Sequence, residues 1–155
     1  MKNALKVLAA VAVIAPVQAY SATGNIPFNG SVTDTCVITV GSAGTIMPNT
    51  AYTVLSSKEA GGAAGTATIL ATGNGYSVSA DAPTAWSTAP GSTPATTFAA
   101  EYDLSGANSA TNVSGNTQTA ISHGSTNVNI DLTASLPSGT YESGTYAATV
   151  VLRCE

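Results

Sequence analysis

Beyond residue 19 this chain shows short runs in which apolar residues recur at every second position, and no stretch keeps a helical spacing for three turns. A period of two belongs to extended strands, whose successive side chains face opposite ways. In residues 145–154, Tyr146, Ala148, Val150, Leu152 and Cys154 share one face, and Ala147, Thr149, Val151 and Arg153 share the other. Val128, Ile130 and Leu132 alternate as cleanly with Asn127, Asn129, Asp131 and Thr133. Gly, Pro, Asn and Ser punctuate such runs, which predicts strands over residues 26–32, 36–40, 52–55, 66–71, 76–80, 97–104, 117–121, 127–134 and 145–154. Residues 58–65, 87–94 and 105–116 read as small-residue loops. Many short strands at this spacing point to an all-β sandwich with antiparallel pairing.

The first nineteen residues read differently. Lys2 and Lys6 precede an apolar run over residues 7–15, and Val17-Gln18-Ala19 places small residues at the −3 and −1 positions of a cleavage site. That pattern predicts a signal peptide and an exported, soluble mature chain of residues 20–155, long enough for one domain. The run is too short to span a bilayer. In the mature chain only Lys58 and Arg153 are basic, against eight acids (Asp34, Glu59, Asp81, Glu101, Asp103, Asp131, Glu142 and Glu155), a net charge of −6. A nucleic-acid binder needs cations to neutralise phosphates, and this chain has almost none.

Cys36 and Cys154 are the two cysteines, one near each end of the predicted domain. An even count in an exported chain suggests a disulfide; two unpaired buried thiols and a cross-chain bond are the alternatives. A zinc site does not fit the spacing, and the chain has a single histidine. With two Phe, one Trp and six Tyr, the core must rest largely on Ala, Val and Thr. A small domain built that way needs a staple, a partner, or both.

Catalytic constellations are poorly represented. His123 sits in a polar turn between Ser122 and Gly124, and neighbours in sequence rarely meet the geometry of a base and its nucleophile. No Gly-x-Ser-x-Gly elbow is present. Glu101 and Asp103 would share a strand face as a glycosidase pair might, but no sugar-stacking aromatics accompany them. Residues 103–106 do not match a calcium loop. Asn29-Gly30-Ser31 and Asn112-Val113-Ser114 fit the glycosylation sequon, a pattern common by chance. Trp86 is a candidate ligand-stacking residue or, more simply, a plug for one end of the core. The expectation is a protein that is not an enzyme and carries no cofactor or metal.

Directly behind the leader stands Gly24-x-Ile26-x-Phe28-x-Gly30-x-Val32, followed by Cys36. This resembles the N-terminal signature of pilin subunits assembled by the chaperone–usher pathway. Ser143-Gly144-Thr145-Tyr146-Ala147-Ala148-Thr149-Val150-Val151-Leu152 is similar to the closing strand of the same family. The family departs from this chain in its cysteines: its first usually pairs with a nearer one, where here only Cys154 is on offer.

The resemblance implies an incomplete immunoglobulin-like (pilin) β-sandwich, completed by a donor strand from another subunit. Residues 1–19 would then be the signal peptide, 20–30 the donor extension and 31–155 the pilin domain. Ile26, Phe28, Gly30 and Val32 would be the donated residues, and Tyr146, Ala148, Val150 and Leu152 one wall of the receiving groove. The implied function is a structural stem subunit of a bacterial surface fimbria supporting adhesion. Its partners would be other pilin subunits, a periplasmic chaperone and an outer-membrane usher, with export through the periplasm to the cell surface. The rival expectation is a self-complete exported sandwich that binds a sugar or host surface as a monomer. A secreted hydrolase dependent on His123 is a third.

Overall fold

The computed structural model describes residues 20–155; the signal-peptide reading of residues 1–19 lies outside them. The chain divides into two units, Met1–Ser31 and Val32–Glu155. Residues 20–31 carry no strand, so the strand predicted for 26–32 does not form. Alternation specifies a face, but a strand exists only when a neighbour accepts its backbone hydrogen bonds. Ile26 is 77 % exposed and Phe28 92 %.

Val32–Glu155 is all-β among the described residues, in ten strands: β1 Cys36–Val40, β2 Met47–Pro48, β3 Val54–Ser56, β4 Gly65–Ala71, β5 Tyr76–Asp81, β6 Thr97–Gly106, β7 Ala110–Ser114, β8 Thr119–Ile121, β9 Gly124–Ser135 and β10 Val151–Cys154. All pairings are antiparallel. The larger sheet runs β1-β4-β9-β3-β2, with β6 on the other side of β9 and β7 beyond it. β9 is its spine: Gly124–Ile130 pairs with β4, its last three residues pair with β3, and β6 lies along the opposite edge. The smaller sheet is β10-β5-β8.

The two sheets share a core in a sandwich-like arrangement. Ile69 and Ala71 of β4, Tyr102 and Leu104 of β6 and Val128 of β9 pack with Val78 and Ala80 of β5 and Ile121 of β8. Each set sits on alternate positions of its strand, as the sequence period requires. Leu55, Ala134, Leu136 and Tyr141 form a second cluster, with Trp86, Phe98 and Tyr146 against it.

Two expectations need correction. Residues 105–116, read as a loop, contain β7, which pairs with β6 from Glu101↔Ser114 to Leu104↔Ala110 through an irregularity in register. Asn112 adopts φ 51° there and its backbone N–H donates to Asp103 Oδ1 at 2.6 Å, so an Asn-rich stretch is held in a bent edge strand. The closing run, predicted over 145–154, is laddered only at Val151–Cys154, plus a bridge at Thr88↔Ala147; residues 148–150 belong to no ladder.

Candidate functional site: an open slot between two sheet edges

Cys36 and Cys154 are bonded to each other, joining the edge strand of one sheet to the edge strand of the other. β1 pairs with β4 on one side and β10 pairs with β5 on one side, so among the described residues each presents a free edge. Between the two edges lies a cleft of about 500 Å³. The disulfide itself does not line the space beyond it, whereas Ile38, Val40, Val150 and Leu152 do.

One wall of the cleft is β1 and the loop after it, including Ile38, Val40 and Ile46. The opposite wall is residues 146–150 and Leu152, and Ala67, Ile130 and Leu132 are among the residues lining the space between. Tyr146, Ala148, Val150 and Leu152, the four residues singled out from sequence, all line the cleft, and all are half-buried while Ala147, Thr149, Val151 and Arg153 are exposed. Ile38, Ile130, Val150 and Leu152 pack against the main core without being covered by it. A core with half-covered aliphatic side chains along one seam, next to two unpaired strand edges, is the geometry that strand addition exploits. None of the lining residues is charged.

The far end of the cleft is shaped by aromatics. Tyr146 packs edge-on against Trp86 and Tyr141, each with ring centroids 5.2 Å away, and Trp86 in turn meets Phe98 at 4.8 Å. Trp86 Nε1 donates to Thr96 Oγ1 at 3.0 Å and Tyr146 Oη donates to the Glu142 carbonyl at 3.0 Å. Trp86 is therefore the end plug of the core, and it fixes the ring of Tyr146. A second cavity, about 520 Å³ and lined by Pro48, Tyr52 and Tyr141 among others, shares Ile46 and Tyr146 with the cleft and continues it outward. This end is open.

The other sequence candidates lie elsewhere. His123 is exposed, its backbone N–H donating to Asn74 Oδ1 at 3.1 Å. Glu101 pairs with Lys58, and Asp103 is engaged by Asn112, so the two acids serve the solvated face of β6. The described residues contain no cluster of His, Cys, Asp and Glu able to hold a metal ion, and no helix long and apolar enough to cross a membrane. Sequence reasoning did not find Ile38, Ile46, Ile130 and Leu132 as cleft residues; only the pairing of distant strands brings them to one seam.

The chain matches no protein-family model, no curated protein and no solved structure.

Proposed function

We propose that this chain is a structural subunit of a surface fimbria: an immunoglobulin-like sandwich lacking one strand, completed by residues 26–32 of another copy. The single observation that carries the reading is the cleft between the unpaired edges of β1 and the closing run. Its wall from Tyr146 to Leu152 spans seven residues, about 20 Å of extended chain. The segment from Ile26 to Val32 also spans seven, with apolar side chains at Ile26, Phe28 and Val32 and a glycine between them. Residues 20–33 carry no charged side chain, like the cleft lining, so docking of residues 26–32 strands no ion in an apolar seam.

Burying Ile26 and Phe28 would contribute on the order of 1.5–3 kcal/mol each, before ladder bonds are counted. Donor and acceptor are different surfaces of one molecule, so the contact is heterologous and grows a filament when it does not close. An unfilled apolar seam would also need a temporary cover before assembly. That is the role assigned here to a periplasmic chaperone, with an outer-membrane usher receiving the subunit at the surface and adhesion following from the fibre.

Removal of residues 20–30 tests the reading. The shortened chain should keep its disulfide and still enter a chaperone complex, yet fail to join assemblies seen by electron microscopy. Assembly at the full-length level would overturn it.

A further inference from the structure

We propose that the Cys36–Cys154 bond reserves the slot for a second copy by blocking the chain's own leading segment from folding into it. The inference rests on the donor-strand reading above. Residues 26–32 are joined to β1 by residues 33–35 alone. Three residues make an ordinary hairpin loop, and such a hairpin would fold 26–32 back along the free edge of β1, which is the slot. Self-completion is therefore the short-range competitor of assembly.

The disulfide occupies the position that this hairpin needs. With residues 33–35 as the loop, Val32 would sit opposite Cys36, on the edge of β1 that faces β10. Cys154 is already there, with its Cα 6.3 Å from that of Cys36. A strand paired to both walls requires about 9.6 Å between them, twice the interstrand spacing. The walls are too close at this end for any strand to lie between them.

The connector is also turned toward the opposite edge of β1. Thr72, which follows β4, donates its hydroxyl to the Thr33 carbonyl at 2.7 Å and accepts at that oxygen from the Thr35 backbone N–H at 2.8 Å. The Thr72 N–H donates to the Thr35 carbonyl at 2.9 Å, extending the β1–β4 ladder by one rung. The Asp34 carboxylate fills the space that a side chain at position 73 would need, and that position is glycine. Residues 33–35 thus leave β1 on the β4 side, away from the slot. At the other end the slot runs into the cavity beside Ile46 and Tyr146, where a strand from another molecule meets no covalent barrier.

The test compares full-length mature protein in three forms by mass-resolved size exclusion and amide hydrogen exchange. Oxidised wild type should assemble. C36S/C154S should hold at least tenfold more monomer at equal concentration, with the amides of residues 26–32 protected in that monomer. If this variant does not fold, a form with both cysteines and eight Gly/Ser residues inserted between Val32 and Thr33 serves instead. The insert reaches about 26 Å, enough to bring the segment round to the open end. It too should become a protected monomer. Assembly of the variants at the wild-type level overturns the proposal, as does an oxidised wild-type monomer with 26–32 protected. A labelled peptide of sequence 24–33, added to wild type, separates the two readings. Binding with protection of residues 148–150 upholds the slot even where the barrier fails; no binding removes both.

Discussion

The hydroxyl of Tyr102 lies 3.0 Å from the carbonyl oxygen of Val78, tying β6 of the larger sheet to β5 of the smaller. The same oxygen is 2.8 Å from the Thr117 carbonyl and 2.6 Å from Thr119 Oγ1. Tyr102 is 1 % exposed, so no water can replace these partners when the hydroxyl is lost. Tyr102→Phe keeps the ring and removes the tie; the expected cost is about 1–3 kcal/mol, read from the urea midpoint. An unchanged midpoint would mean the sheets are held by packing alone.

A second stitch runs through Gly115, whose N–H donates to the Ala100 carbonyl and whose carbonyl accepts from the Ala80 N–H, both at 2.8 Å. A Cβ here would stand 2.1 Å from the Ala80 carbonyl oxygen and 3.0 Å from Ala100 Cβ. Backbone cannot step aside as a flexible side chain can. Gly115→Ala should therefore destabilise by about 1–3 kcal/mol, the ordinary cost of overpacking, while Gly91→Ala, where nothing lies within 4 Å, should be near neutral. Equal effects of the two substitutions would refute the stitch.

The disulfide closes a loop of 118 residues in separation. In the chain-entropy treatment that constraint stabilises the fold by about 4–5 kcal/mol. Reduction should therefore lower the thermal midpoint steeply, even though the core carries Leu, Ile and Tyr side chains beyond the Ala, Val and Thr expected from composition. Calorimetry with and without a dithiol checks this, and a midpoint shift of only a degree or two would place the stability elsewhere.

Alkaline pH should weaken the fold. The Lys58 ammonium is held above its usual pKa chiefly by its hydrogen bond to Glu101, and burial pushes the phenols of Tyr76 and Tyr141 upward, with Asp34 adding to the rise at Tyr76. In each case the folded state holds its proton more tightly than the unfolded chain. The resulting stability is complete below the unfolded values near 10 and is lost as pH climbs through the raised folded ones. The thermal midpoint should thus fall above about pH 10. Tyr141 Oη is buried without a hydrogen-bond partner, so Tyr141→Phe should leave the midpoint at pH 7 no lower and make the alkaline fall shallower.

Period-two patterning carried much of the fold because most strands have one buried face. Cys36–Val40 has the bounds read from sequence, and the even-numbered face of residues 146–154 is the half-buried one. What stayed hidden depends on distant partners. β7 contains a single large apolar residue, Val113, and becomes a strand only because β6 offers an edge. Residues 148–150 have the pattern of a strand and no ladder, and residues 26–32 have the pattern and high exposure, with Val32 at 83 %. Composition names the faces of these segments; it does not name the chain that covers them. Two of these three failures of local prediction, all but β7, therefore fall on the proposed donor and the proposed acceptor.

That coincidence gives a test in which two defective chains repair each other once. Phe28→Asp places a carboxylate in the donor segment, and Val150→Asp places one on the slot wall. Burying either charge unpaired costs several kcal/mol beyond the lost apolar contact, enough to weaken the joint by more than about a hundredfold. Each variant alone should remain monomeric. Mixed, the Val150→Asp chain still has a sound segment to give and the Phe28→Asp chain still has a sound slot to receive it. The product then has a spoiled slot at one end and a spoiled segment at the other, so growth stops at a one-to-one dimer. Native mass spectrometry with one isotopically labelled chain reads this directly. Larger species on mixing, or assembly of either variant by itself, would show that subunits join through some other surface.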